Sequence, residues 1–479
     1  MKRVFKLGLA GTMCDNFDGG KYDAYAKSAA RVKALCEENN AAFCHYPKLL
    51  LTTADAVDAA AFFEKEKVDF LLIQTTTFPG GEMILKLARA ADKFGLWALP
   101  EASYDGSNFL HSNNSFCGIN MFASILKNYV RDVPYKWFFG RHDDERFLRR
   151  LTVTIKSLSA IKKMSQSRVA LVGGIAPGFN DLYFDERLAA KRFGVDIRRG
   201  HEFSEIKERA YAYSNAEAKE LAAAFAEGSR KGGDVTDRHM EMSGRYYQAY
   251  VDFCRDNDID ALAVSCWPQI KPDILACSII GKLNENGIPA SCEGDLPGAV
   301  SQLFLHAITG KPTALMDMAG FDEADDTVLM WHCGPAPASY ANACGNCLTC
   351  SYQPNLAGET LSYGLINNME MKPGPVMFTR FTGEWDKLFL AGGTIAEGKK
   401  SPDGSRGWVG GLSWNRRNVS ALDFTNSILV NGFQHHYPMT MGDVSQEMLE
   451  TAGWLGLTML PFAGYEEHLQ MEKGGVILP

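Results

Sequence analysis

At 479 residues the chain exceeds what one hydrophobic core usually organises, so two or three domains are expected. Its 46% hydrophobic and 22% charged residues describe an ordinary globular protein, and a net charge of -8 gives no reason to expect nucleic acid or an anionic membrane as partner. No apolar run reaches bilayer-spanning length, the Met1-Lys-Arg start does not resemble a secretory signal, and twelve scattered cysteines suit reduced thiols in a cytosol, so the expected location is cytoplasmic.

Val4 to Ala10 reads as a strand, and Ala, Val and Leu at helical spacing predict a helix from Tyr22 to Asn39. Val68 to Gln74 is a buried strand, Gly80-Gly81 opens a helix through Met83, Leu85 and Ala88, and Gly95 to Pro100 is the next strand. Continuous apolar strands between helices imply a parallel sheet covered on both faces. A charged helical stretch from Lys136 to Lys163 separates this unit from a second, with strands expected at Arg168 to Gly173, Val195 to Ile197, Ile259 to Ser265 and Ile288 to Ser291. After about Gln353 the texture changes. Lys372 to Phe381, Lys387 to Ala391 and the glycine-rich stretch through Gly410-Gly411 read as short strands joined by turns, and a last helix runs from Val444 to Gly456. The expected fold is α/β: two Rossmann-like parallel-sheet domains in series, 1–165 and 166–355, followed by a smaller, mostly β, barrel-like domain over 356–479.

Two carboxylates carry the chemistry. Glu293 and Asp317 lie twenty-four residues apart, each where an apolar strand-like run gives way to a loop, with a helix-like stretch between them and the pair His435-His436 far downstream. Strand ends of α/β sheets are where ligands bind. Two hard oxygen donors and an imidazole suit one divalent metal. Each residue alone has a plain structural role: acidic residues at the start of a helix serve as caps, and a His-His pair before Tyr-Pro suits an edge strand.

The run Glu293-Gly-Asp295-Leu-Pro-Gly298-Ala-Val, followed by Gly310 and Met316-Asp317, resembles the L-fucose isomerase family and, less closely, the L-arabinose isomerases. The resemblance covers the whole domain order, and its motifs are specific only in combination. It implies that Glu293 and Asp317 ligate a divalent cation, Mn2+ in the first place, with Co2+ or Mg2+ as alternatives. It also implies a third ligand at His436, because His436-Tyr-Pro-Met-Thr-Met-Gly442 matches the family's histidine run, whereas His435 is one residue out of register. The implied reaction is aldose–ketose interconversion through a metal-stabilised cis-enediolate. A cation chelating the sugar's O1 and O2 stabilises the developing charge, and Glu293 and Asp317 are both candidates to carry the proton between C1 and C2. The family favours a neutral aldose such as L-fucose, D-arabinose or L-arabinose, and a homo-oligomer, with a hexamer the form to expect.

Further candidates surround this core. His332, fifteen residues past Asp317, is a pocket residue or a buried core histidine. Trp267 and Gln269, in Ser265-Cys-Trp-Pro-Gln269 after another strand, offer an indole and an amide to sugar hydroxyls, or simply close the strand. Cys344, Cys347 and Cys350, with two-residue gaps, and Cys333 have spacing compatible with a structural zinc or an iron–sulfur cluster, with free thiols as the alternative. Val172-Gly-Gly-Ile-Ala-Pro-Gly178 lacks the phosphate-loop ending, and Ser112 to Asn120 is a polar loop or turn leading into a helix. Arg380, Lys271 and Arg416-Arg417 are candidates to answer an anionic sugar such as sulfoquinovose or a sugar phosphate, the alternative substrate class, or are simply solvated. A non-catalytic sugar-binding protein of two α/β lobes is the reading from another class; it needs no metal carboxylates.

Overall fold

The computed structural model describes residues 2–17, 21–101, 112–130, 133–267, 273–350, 363–466, 469–470 and 477–478. The chain divides into two compact units, Met1–Lys163 and Met164–Pro479.

In the first unit β1 (Lys6–Thr12), α1 (Lys21–Glu38), β2 (Ala42–His45), α2 (Thr53–Glu66), β3 (Phe70–Thr75), α3 (Glu82–Leu87), β4 (Phe94–Ala98), α4 (Ser115–Tyr129), β5 (Tyr135–Phe139) and α5 (Glu145–Met164) alternate. The sheet is parallel throughout, in the order β2-β1-β3-β4-β5. All six residues of β3 and all five of β4 are buried, as strands covered on both faces must be. Two expectations change here. Lys136 to Phe139 is not helical but the edge strand β5, where the aromatic run Tyr135, Trp137, Phe138 and Phe139 favours a pleated strand over a helix. The polar stretch from Ser112 is a loop only as far as Asn114, because α4 already starts at Ser115.

The second unit opens with β6 (Arg168–Val172), α6 (Glu186–Phe193), β7 (Asp196–His201), α7 (Phe203–Ala212), α8 (Asn215–Ala226), β8 (Ser229–Lys231), α9 (Asp237–Asn257), β9 (Ala261–Val264), α10 (Cys277–Glu285), β10 (Ala290–Ser291) and α11 (Leu296–Thr309). Four of these strands form a second parallel sheet, β10-β9-β6-β7. The strands that follow include β11 (Ala314–Asp322), β12 (Thr327–His332), β13 (Asn346–Thr349), β14 (Ile366–Glu370), β15 (Gly374–Phe381), β16 (Lys387–Ala396), β17 (Ser405–Trp414), β18 (Arg417–Asn418) and β19 (His436–Met441). Antiparallel pairing runs β16-β15-β19-β11-β12-β17 and closes through a further β16–β17 ladder, giving a six-stranded barrel. Met316, Met330, Val376, Phe378, Phe389, Val409 and Met439 pack together in its core. The architecture is thus two parallel-sheet α/β domains plus a β-barrel. The strands carrying Asp317 and His332 belong to the barrel sheet, which therefore draws on residues well before 356.

Alternation along β11 sets the site. Ala314 and Met316 enter the barrel core, whereas Leu315 between them packs with the parallel-sheet core. Asp317, two residues beyond Leu315, faces the same way. Its cross-strand partner on β19 is His436.

Candidate metal centre

The Glu293-Gly294-Asp295 turn joins β10 to α11 at the carboxyl end of the second parallel sheet. Glu293 has φ 62°, in the left-handed region that side chains other than glycine rarely occupy. Gly294 follows at φ 72°, and a Cβ there would lie 2.1 Å from the Gly174 carbonyl oxygen, so only glycine fits. Ala176 N–H donates to the Glu293 carbonyl and Gly294 N–H to that of Val264, which locks the turn against β9 and the loop after β6. The helix cap is Asp295 rather than Glu293: its Oδ1 accepts from Gly298 N–H at 2.9 Å. Glu293 is left with its carboxylate free to face the barrel.

Asp317 is not at a strand end. It lies inside β11, paired with Trp331 on β12 and His436 on β19, and the strand continues through a bulge between Met318 and Gly320. The acidic residue resembled a strand terminus because this face of the strand turns from core to pocket. His436 Nε2 sits 3.4 Å from Glu293 Oε2 and 3.6 Å from Asp317 Oδ1. His436 therefore lies between the two carboxylates that the resemblance implies as ligands, one from the parallel sheet and one from a neighbouring barrel strand, with Glu293 and Asp317 in separate groups around it. His332 joins them, its ring stacked on that of His436 with centroids 5.5 Å apart. Among the described residues two groups have ligand atoms close enough to share an ion: Glu293, His435 and His436, and Asp317, His332 and His436.

Behind this front lies a layer that the sequence reading missed. Asp295 and Arg380 are fully buried and joined by two hydrogen bonds of 2.6 and 2.7 Å. Asp295 Oδ2 also lies 3.0 Å from His436 Nδ1. In the neutral ring a carboxylate at Nδ1 holds the proton there and leaves Nε2 bare, the tautomer a metal ligand needs. In His332 the backbone N–H of Cys333 donates to Nδ1 at 2.8 Å, which puts the proton of the neutral ring on Nε2 and makes this side chain a donor. His435, set aside on register, lies 3.2 Å from Glu293 Oε2 through Nε2 and 2.6 Å from Asp181 Oδ2 through Nδ1. The Asp181 contact spans 254 positions, and no local signal marks it.

Burial by itself raises the Glu293 carboxyl, but the neighbouring His435 and His436 imidazoles outweigh it and bring it down to about 2. Burial disfavours His436 as a cation, yet Asp295 and Glu293 pull it up to about 9. His332 is likewise held well above its ordinary value, with burial opposed by Asp317 and Cys333. The carboxylates thus call for positive charge in a buried place. Asp317 Oδ1, His332 Nε2 and His436 Nε2 are buried without a hydrogen-bond partner among the described residues. Unsatisfied buried polar atoms are costly, and three converging ones indicate a guest. Carboxylate oxygens with an imidazole nitrogen are the donor set of a hard or borderline divalent cation.

The other candidates divide. Trp267 is 42% exposed just past β9, and its ring meets Phe179 edge-on at 6.4 Å, while Phe179 in turn lies 5.4 Å from His435; these rings form an aromatic wall beside Glu293. Gln269 and Lys271 lie outside the described residues. Arg380 cannot answer an anionic substrate, because Asp295 occupies it inside the protein. Arg416 and Arg417 follow the far end of β17 from Ser405, the partner of His332, roughly 25–30 Å along the strand. The four cysteines proposed for a structural metal are not gathered. Cys333 faces Cys277 at 3.3 Å, Cys344 is exposed, Cys347 lies on β13, and Cys350 contacts the Asp234 carbonyl and His239. Among the described residues no potential metal group contains a cysteine, and no helix is long and apolar enough to cross a membrane.

No family model matches the chain. It is 25% identical over 400 residues to a sulfoquinovose isomerase from Priestia aryabhattai, covering 82% of this chain and 85% of the relative. Similar relatives of the same name occur in Clostridium sp. (strain MSTE9), 26% identical over 424 residues covering 86% and 90%, and in Alkalicoccus urumqiensis, 24% over 416 residues covering 84% and 88%. Among solved structures, a transporter solute-binding protein from Agrobacterium vitis bound with alpha-D-tagatopyranose aligns at 13% identity over 64% of this chain and 90% of its own, with a TM-score of 0.17, too low to carry an argument. Similarity to sugar isomerases over most of the chain indicates that this protein is an aldose–ketose isomerase.

Proposed function

We propose that the protein is a metal-dependent aldose–ketose isomerase acting on an anionic hexose of the sulfoquinovose type. The observation that carries the metal reading is the convergence of Asp317 Oδ1 and His436 Nε2, both buried and unpartnered, beside Glu293. The substrate class rests on the relatives, whose names specify sulfoquinovose. They favour the anionic sugar over the neutral aldoses of the L-fucose and L-arabinose isomerases.

Glu293, Asp317 and His436 would hold the cation, with Asp295 and Arg380 fixing the imidazole behind them. A divalent cation supplies Lewis-acid polarisation of adjacent sugar oxygens when bound. The chain's own residues do the rest. Glu293, ionised at neutral pH, is a proton acceptor set at the pocket edge, and Asp317 lies across His436 from it; the two carboxylates are the groups that pass a proton between C1 and C2. His332 offers its Nε2–H to a substrate oxygen, and the Phe179 and Trp267 rings give the sugar an apolar face to rest on.

The test is isomerisation of sulfoquinovose in deuterated water, followed by NMR, with EDTA-stripped protein and with Mn2+ restored. Ketose formation with deuterium entering at C2, lost on stripping and regained with Mn2+, is expected. Equal turnover in stripped protein rejects the metal, and activity confined to L-fucose or L-arabinose returns the substrate to the neutral class.

A further inference from the structure

Beside the ligand cluster runs a row of sulfur atoms that the isomerase reading does not use. Cys266 follows β9, Cys292 lies between β10 and Glu293, Cys333 follows His332 at the end of β12, and Cys277 is the first residue of α10. Cys292 contacts both Cys266 and Cys333, and Cys333 Sγ lies 3.3 Å from Cys277 Sγ. Cys333 is partly exposed, while Cys277 and Cys292 are buried. The same Cys333 anchors His332: its N–H meets His332 Nδ1 at 2.8 Å and its Sγ lies 3.1 Å from that nitrogen.

We propose that Cys277 and Cys333 form an oxidative modification site, a thiol pair that a peroxide converts to a disulfide which pulls His332 out of position. The Cys333 sulfur attacks one peroxide oxygen, the O–O bond breaks, hydroxide leaves, and the thiol proton goes with it as water. The resulting sulfenic acid is attacked by the Cys277 sulfur, forming the S–S bond and releasing a second water. Two thiols and one hydrogen peroxide give one disulfide and two waters, so the peroxide is the two-electron oxidant. The sulfurs already lie 3.3 Å apart, so a short shift of the two residues brings them to bonding distance. Bond formation draws them from 3.3 Å to about 2.0 Å, a movement of roughly 1.3 Å taken up at the residue that orients His332. A displacement of that size at a group facing substrate lowers turnover by about 100-fold. The effect on turnover rests on the isomerase reading; the disulfide itself does not.

The experiment treats the full chain, with Mn2+ present, with a small excess of hydrogen peroxide and maps cysteine linkages by peptide mass spectrometry. A Cys277–Cys333 linkage, a roughly 100-fold fall in kcat/KM on sulfoquinovose and recovery with dithiothreitol are expected. Cys277→Ser keeps the activity of the reduced protein and loses the peroxide sensitivity, whereas Cys254→Ser, a buried cysteine elsewhere, changes neither. Linkage of other cysteines, or sulfinic acid at Cys333 without a linkage, overturns the proposal, and so does a linkage that leaves turnover unchanged. If Cys277→Ser does not fold, the wild-type map still decides. A reduced protein that isomerises no sugar sinks the isomerase reading instead, and the map then decides the modification alone.

Discussion

Asp295 commits both carboxylate oxygens inside the protein, to Arg380, to His436 and to the start of α11. Its substitution by Ala would strand a buried guanidinium, so Asp295→Ala is expected to destabilise the protein by about 3–5 kcal/mol, measured by urea unfolding. Asp317→Asn removes the charge of a proposed ligand without opening a cavity; a folded protein with Mn2+ affinity down at least about tenfold is expected from calorimetry. Unchanged affinity and turnover would reduce Asp317 to an ordinary strand residue. His436 sets a pH dependence. In the metal-free protein its value of about 9 lies above the ordinary 6.5, so its contribution to stability is complete below pH 6.5 and disappears as pH rises through 9. Urea midpoints of stripped protein should fall across that window. At neutral pH Mn2+ binding must displace the proton, and calorimetry in buffers of different ionisation enthalpy should register its release. These residues were unevenly legible. Glu293, Asp317 and His436 follow from the resemblance and lie around one imidazole in the fold, whereas no local signal marks the pairing of Asp295 with Arg380 and His436.

At the scale of elements, the turn after β10 and the face of β11 make the site. Glu293 in a left-handed conformation followed by a left-handed Gly294 is strain placed where a carboxylate must be aimed. Gly294→Ala brings a Cβ onto the Gly174 carbonyl, and a loss of about 1–3 kcal/mol with a lower kcat is expected, read from urea unfolding and steady-state kinetics. The sequence could suggest a Glu-Gly-Asp turn but not which acid caps the helix, because both stand at plausible cap positions. Lys136 to Phe139 shows the limit of charge patterning: charged neighbours suggested a helix, and pairing with β4 made a strand.

On the scale of the molecule, a cation held by Glu293, Asp317 and His436 would tie the parallel sheet of the second unit to its barrel. Stripped protein should therefore melt earlier than protein with Mn2+ at about 100 times its dissociation constant, by the equivalent of about 2.7 kcal/mol, which differential scanning calorimetry measures. The alternation of apolar strands with helices, the change of texture toward short strands and the order of two carboxylates and a histidine were determined by the sequence alone, since periodicity and residue chemistry are local properties. What only the tertiary structure decided was which strands close the barrel, that Asp317 sits within a strand opposite His436, that His435 reaches Glu293, and that Arg380 is locked to Asp295. The reason is physical: these contacts join residues as many as 142 positions apart in sequence, and cross-strand register and side-chain burial exist only once the sheets have packed.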